Sequence, residues 1–292
     1  MTSEPPMSDL NDESYFMKMT MAEFERVRDL VSRHFGIRLP KEKKSLVISR
    51  LQGSLIKNGF KTFSTYLDQV ETDRSGRELS HLIDRIATNH TFFFREQDHF
   101  DFFQKTALPE IVNRLKKTGS NDLRLWSAGC SGGDEAYSFV ICLMEYFADD
   151  YHKWNAGILA TDISEKMLKE ARIGIYPEKR MTELPKLYTA RYFKKIDNET
   201  YEIRDELKRE VTFRRLNLKN TDVVFKGLFD VISCRNVMIY FDQAIKDQVV
   251  HFFHAHTRPG GYLFVGHSES LNRRLSPYEY VQPGVYRKGG HQ

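Results

Sequence analysis

Gly129, Gly132 and Gly133 fall within the stretch WSAGCSGGDEAYS, and two acids, Asp134 and Glu135, follow them directly. Glycines at this spacing permit a tight turn and let a ligand approach the backbone. A helix beginning there offers N–H groups and a positive dipole end. The pattern is G-x-x-G-G and not G-x-G-x-x-G, so close pyrophosphate approach is not signalled. Two carboxylates at that point would repel phosphates and suit a ligand that carries positive charge. Asp162 ends the apolar run AGILATD, where an acid can accept hydrogen bonds from both hydroxyls of a ribose. Asn217-Leu218 and Arg235-Asn236 end two more strand-like runs. S-adenosylmethionine has ribose hydroxyls, an ammonium and a sulfonium, and no phosphate, so it matches this set.

A second chemistry can be written on the same loop. Gly129-Cys130-Ser131-Gly132-Gly133 fits the G-x-S-x-G elbow of α/β hydrolases, and Asp230 and His267 follow in the order a triad needs. Position argues against it. The elbow should follow a central strand after several earlier ones, and no HGGG-type segment precedes this loop. His90, His99, His254 and His256 are not spaced for metal ligation, and no metal is assigned. Met238 and the pair Phe93-Phe94 read as core.

The elements that must carry these residues follow from periodicity. Phe24, Val27, Leu30, Val31 and Phe35 recur at helical spacing, as do Leu46, Val47, Leu51, Leu55 and Ile56, and then Leu79, Leu82, Ile83 and Ile86. The first part of the chain is therefore a small helical domain, residues 16–88, behind a polar tail, 1–15, expected to have no fixed structure. Residues 89–118 form a linker and connecting helix. From 119 to 288 strand and helix patterns alternate: LRLWSAGC, DEAYSFVICLMEYF, AGILATDIS, EKMLKEARIGIY, VTFRRLNL, LFDVISCRN, DQAIKDQVVHFFHAHT and GYLFVGHSE. Alternation of this kind indicates an α/β fold with a parallel sheet covered on both faces. At about 190–213 it breaks into short strand-like pieces around Asp197-Asn198, expected to be a small antiparallel insertion.

The totals limit the class. The net charge of +4 over 292 residues does not argue for nucleic acid. The longest apolar run, Tyr137 to Phe147, is too short to span a bilayer. Three cysteines without C-x-x-C spacing fit reduced thiols in a cytoplasmic protein.

Five segments together, TNHTFFFRE, WSAGCSGGDEAYS, ATDIS, CRNVMIYFD and RPGGYLFVGHSE, resemble the CheR family of chemotaxis receptor methyltransferases. The resemblance runs in order from about Thr20 to Arg287. It implies an N-terminal helical domain, then a Rossmann-like S-adenosylmethionine methyltransferase domain with a small β-subdomain. The implied activity is methyl ester formation on glutamates of receptor signalling helices, with S-adenosylhomocysteine as second product. By that resemblance Asn89, Thr91 and Arg95 contact the cofactor, and Glu135, Asp162, Asn217, Leu218, Asn236 and Val237 line its pocket. Arg95 and Tyr240 lie near the transferring methyl. The run Phe92–Phe94 would wedge the helical domain against the methyltransferase domain. The sequence departs from the family where GGDEA stands in place of T-G-E-E-P, although Glu135 keeps the matching acid. Where some members use a glycine-rich loop to hold a receptor C-terminal peptide, this chain reads KKIDNETYE, which speaks against such a tether. A module that binds the cofactor without transferring methyl is the alternative, ahead of a hydrolase using Ser131.

A glutamate nucleophile is already ionised at neutral pH, with a reference pKa of about 4.3, so no strong general base is expected. Positioning and desolvation must carry the reaction. Arg95 is assigned to orientation, and the Tyr240 hydroxyl to the same purpose. Between Arg26 and Lys61 there are ten Lys or Arg and two acids. Lys43, Arg50 and Lys57 are seven apart and so share a helix face. That stripe fits an acidic helical coiled coil such as a receptor. Nucleic acid is a weaker partner, because no aromatics interleave with the charges.

Overall fold

Thr20 and Glu23 start the first helix by capping each other. The Thr20 N–H and hydroxyl donate to Glu23 Oε2 at 2.7 and 2.8 Å, and the Glu23 N–H donates to Thr20 Oγ1 at 3.1 Å. In the computed structural model, which describes residues 17–272 and 274–290, that helix is α1 (Met21–Phe35). It is followed by α2 (Lys44–Lys57), α3 (Phe63–Thr72) and α4 (Arg77–Ile86). The chain divides into two units. The described residues up to Arg33 and Leu39–Ile86 form one, and His34–Arg38 with the chain from Ala87 onward form the other. In the first, Phe24, Val27, Leu51, Leu67, Leu82 and Ile83 are fully buried. Arg26 ties α1 to α3 through Asp68 and Glu71 at 2.7 and 2.8 Å. The expected tail, 1–15, lies outside the described residues.

The second unit continues with α5 (Gln97–Phe102), α6 (Leu108–Lys117), β1 (Asp122–Ala128), α7 (Asp134–Phe147), β2 (Asn155–Asp162) and α8 (Glu165–Ile173). Then come β3 (Ile175–Pro177), α9 (Lys186–Tyr192), β4 (Phe193–Lys195), β5 (Thr200–Ile203), α10 (Asp205–Arg209) and β6 (Val211–Arg215). The chain ends with β7 (Phe229–Cys234), α11 (Gln243–His256), β8 (Thr257–Val265), β9 (Glu279–Gln282) and β10 (Val285–Arg287). Seven strands form one sheet in the order β6-β2-β1-β7-β8-β10-β9. The first five are mutually parallel, and β10 runs antiparallel to β8 and β9. Strand order reverses beside β1, between β2 and β7, which opens a crevice at the strands' carboxyl ends. Alternation along β1 sends Leu123 and Leu125 to one face and Trp126 and Ala128 into a separate core with α11. Trp126 is fully buried, and its indole N–H is satisfied by Thr161 Oγ1 at 2.9 Å.

The insertion differs from the expected span. The small antiparallel sheet is β3-β5-β4, so it begins at Ile175 and not near 190. The expected bound near 213 overlaps Val211–Arg215, which pairs in parallel with β2 in the large sheet as the strand reading of VTFRRLNL expects. The short strand β3 directly follows the Gly174 cap of α8, so periodicity merged it into that helix. No helix among the described residues is long and apolar enough to cross a membrane.

Candidate active site

The glycine loop closes over the end of β1 by bonding to β2. The Gly129 and Cys130 N–H groups donate to the Thr161 carbonyl at 2.7 and 2.9 Å. Asp162 binds back: its Oδ2 accepts the Ser131 N–H at 2.8 Å and its Oδ1 the Ser164 N–H at 2.9 Å. A carboxylate at the end of the second strand is the kind of acceptor that a ribose hydroxyl requires. Gly129 has φ +89°, and a Cβ there would lie 2.4 Å from Val237 Cγ2. The glycine is therefore what brings the loop after β1 against the loop after β7.

The two acids after the loop divide their tasks. Asp134 is fully buried and chelated by Arg180, whose Nε donates at 2.8 Å, and Thr91 adds a hydrogen bond. Burial pushes the Asp134 carboxyl up while Arg180 opposes it. Its charge is thus neutralised internally and does not face a ligand, contrary to the expectation that both acids would. Glu135 is partly accessible. It accepts from Ser127 Oγ at 2.7 Å and from Arg235 Nη1 at 3.2 Å.

Arg235, whose side chain is 3% exposed, organises the rest. Besides Glu135 it reaches Glu96 Oε2 at 3.1 Å, donates to the Arg95 carbonyl, and lies over the Phe100 ring. Glu96 also accepts from Asn236 Nδ2 at 3.2 Å and the His267 N–H at 3.3 Å. Burial alone would raise the Glu96 carboxyl, but the Arg235 charge and these hydrogen bonds outweigh it and hold it below its ordinary value. Two carboxylates face one guanidinium, which leaves this wall negative. Glu269 is the other anchor. Its carboxylate accepts the N–H groups of Asn236, Val237, Ile239 and Gly266 at 2.7 to 3.1 Å. Burial raises it, and those N–H donors pull the other way.

Backbone strain collects at these points. Among the described residues, the non-glycine positions with positive φ are Phe94, Glu96, Ser131, Ala148 and Asn236, and only Ala148 lies outside the site. Each costs roughly 1–3 kcal/mol and persists only where its surroundings over-determine it. Phe94 is held by Ser138 Oγ on its N–H at 3.0 Å, and Ser131 by Asp162; Glu96 and Asn236 hold each other.

The other expected residues fall as follows. Asn89 and Thr91 are half-buried in the segment leading to Arg95. Arg95 Nη1 donates to the His90 carbonyl at 2.8 Å. Asn217 turns its amide to the His34 carbonyl at 2.8 Å, and the Leu218 side chain is buried in the core that holds Trp126 and Met238. Tyr240 ends a short 3-10 turn, Met238–Tyr240, after β7. Two rings of the aromatic run pack within the second unit. Phe93 is buried edge-on against Tyr176 and Phe193, and Phe94 against Phe100 and Tyr188, all within the second unit. No hydrolase triad forms: Asp230 is bound by Arg114 and Arg258, and His267 Nε2 pairs with Asp98 at 2.9 Å. Glu96, His99 and His267 bring possible ligand atoms within 4.8 Å of one another. The Arg235 guanidinium already occupies Glu96 Oε2, so the cluster is charge-matched by a cation of the protein itself.

Arg235, Glu96 and Glu269 were not assigned from the sequence, although each stands inside a segment quoted there: CRN, FFRE and GHSE. Arg180 and Tyr176, which donates to the Gly132 carbonyl at 2.8 Å, stand outside every motif and carried no signal.

Residues 22–87 match the CheR methyltransferase all-alpha domain, and residues 89–285 match the CheR methyltransferase SAM binding domain. The chain belongs to the CheR methyltransferase family. It is 39% identical to the chemotaxis protein methyltransferase of Borreliella burgdorferi over 93% of this chain and 96% of that one. Chemotaxis protein methyltransferase 1 of Pseudomonas aeruginosa is 35% identical over 92% and 98%, and the Escherichia coli chemotaxis protein methyltransferase 33% over 89% of each chain. As a CheR-family member the chain is an S-adenosylmethionine-dependent methyltransferase, and a module without transfer activity is not favoured. The site fits that cofactor: a glycine loop with no room for side chains at Gly129, a carboxylate at the end of β2 in Asp162, and a negative wall at Glu135 and Glu96.

Proposed function

We propose that the chain, acting in the cytoplasm, methylates glutamate side chains on the acidic cytoplasmic helices of chemotaxis receptors. The observation that carries the cofactor half of this reading is the Arg235 hub, which gathers Glu135, Glu96 and the Arg95 carbonyl into one wall. S-adenosylmethionine supplies an electrophilic methyl. Asn89, Thr91, Glu135, Asp162, Asn236 and Val237 would hold it, with Asn217 contributing through its loop. The protein's own task is then to orient a carboxylate that needs no deprotonation. Arg95 and Tyr240 are the residues assigned to that task, Arg95 from a segment pinned by Arg235 and Tyr240 from a turn pinned by Glu269. Exposed Lys43 and Lys57 offer positive charge for the receptor helix. Arg50 is half-buried, and its guanidinium donates to the Ile86 carbonyl at the end of α4, so it serves the fold of its own unit as well.

The test is transfer of radiolabelled methyl from S-adenosylmethionine into receptor-containing membranes. Base-labile label on the receptor is the expected result, reduced at least about tenfold in Arg95→Ala and Tyr240→Phe. Label that resists base, or none at all with cofactor binding intact, would contradict it.

A further inference from the structure

Residues 34–38, the last two of α1 and the three that follow it, belong to the second unit, and they touch two of the loops that build its site. His34–Arg38 leave the first unit and Leu39 rejoins it. Ile37 pairs with Phe241 in an antiparallel bridge, and the Arg38 N–H donates to the Tyr240 carbonyl at 2.8 Å. At the other end, the His34 carbonyl accepts Asn217 Nδ2 at 2.8 Å. Gly36 between them has φ +73° and is buried, and a Cβ there would lie 2.8 Å from Cδ1 of Ile245 on α11. The Ile37 side chain packs on the core of Trp126, Met238 and Phe241. The segment is therefore seated on the second unit by backbone pairing, by a side-chain amide and by apolar contact.

These contacts bear on named chemistry. Tyr240 lies in a turn only three residues long, and Phe241 follows it directly. On the side toward β7 the turn is fixed by Glu269, which bonds the N–H groups of Val237 and Ile239. At Tyr240 itself the backbone carbonyl is taken by Arg38. A hydroxyl meant to orient a carboxylate is only as well placed as its own backbone, and small displacements are costly in rate.

We propose that residues 34–38 are a positioning segment for methyl transfer: by holding the backbone of Tyr240 and Phe241 at one end and Asn217 at the other, they set the placement of the Tyr240 hydroxyl. This rests on the assignment of Tyr240 to orientation given above, and the test separates the two. Arg38→Pro deletes the N–H that the Tyr240 carbonyl accepts, while the Arg38 side chain is exposed. Pro also favours an extended residue before it, which suits the bridged Ile37. Ile37→Ala keeps that N–H and removes packing only. The measurement is kcat for receptor methylation, the Kd for S-adenosylmethionine by calorimetry and the thermal midpoint, each in wild-type and Tyr240→Phe backgrounds.

The expected result is a kcat about tenfold lower in Arg38→Pro, a cofactor Kd within about twofold of wild type, and loss of most of the effect once Tyr240 is Phe. An equal loss in both backgrounds overturns the proposal, because the segment would then act without the hydroxyl. Unchanged kcat in folded Arg38→Pro also overturns it. If Arg38→Pro unfolds, Ile37→Ala decides by the same comparison, with a fall of a few-fold expected. Wild-type turnover in Tyr240→Phe alone would refute the assignment of Tyr240, and a slow Arg38→Pro in that case would refute the proposed route as well.

Discussion

At the scale of single residues, the site is held by buried charge whose protonation is tied to folding. His99 is 1% exposed, and its ring sits against Phe264 and His267 with Glu96 at 3.4 Å. Burial first, and the Arg235 charge second, push its pKa down from 6.5 to about 4. The sign follows from proton counting. Below 6.5 the unfolded chain takes up a proton that the folded chain refuses until about pH 4. Stability from this group is therefore complete above 6.5 and lost as pH falls toward 4. Between pH 7.5 and 5 the wild type should lose about 2 kcal/mol more than His99→Leu, measured by urea unfolding at both pH values. Parallel losses in the two proteins would show that His99 takes up its proton in the fold as readily as in the unfolded chain. Glu96 works over a lower range. Its folded pKa is depressed, so its contribution is present above the ordinary carboxylate range and disappears in acid.

At the scale of elements, the critical join is between the loop after β1 and the loop after β7. Gly129 sits against Val237 in a backbone conformation that an L residue adopts only with strain. Gly129→Ala should weaken S-adenosylmethionine binding by at least about tenfold. Adding Val237→Ala removes the methyl group at 2.4 Å and should recover part, but not all, of the loss, since φ stays positive. Calorimetric titration of the two variants checks this, and simple additivity of their effects would deny that the loops meet there. This join also shows what could be read in advance. The glycine spacing, Asp162 and the alternation of strands and helices are local signals, and the structure places them at the end of β1, the end of β2 and through the parallel sheet. The burial of the Leu218 side chain was not legible, because the side of a loop that a residue faces is set by tertiary packing. The β3 strand was missed because three residues carry no periodicity, and its partner β5 stands 25 residues further on. Arg235 and Glu269 stood within quoted motifs, yet Arg235 acts on Glu135, 100 residues away, and Glu269 on Asn236, 33 residues away. Phe93 and Phe94 read as core in the sequence, and their ring partners on β3, β4, α5 and α9 make them part of one core.

At the scale of the whole molecule, two units share one chain, and substrate recognition needs a feature that the cofactor site does not supply. The cofactor wall is negative at Glu135 and Glu96, so it cannot by itself attract an acidic receptor helix. The proposed acidic substrate calls for positive charge elsewhere, and α2 with the turn before it offers it. Lys43 stands at its start and Lys57 at its end, both exposed, with Gly53 between them facing open space. Both lysines are exposed, whereas Arg50 is engaged with Ile86. The informative variant is therefore Lys43→Glu with Lys57→Glu, leaving Arg50 in place. Initial rates of receptor methylation at low salt should fall about tenfold, with the cofactor Kd and the thermal midpoint unchanged. The deficit should shrink as ionic strength rises, because exposed charges are screened over about 8 Å at physiological salt. A deficit that persists at high salt would point to lost shape complementarity instead of lost charge. Wild-type rates at low salt would remove α2 as the docking face and leave the receptor to be recognised by the second unit alone.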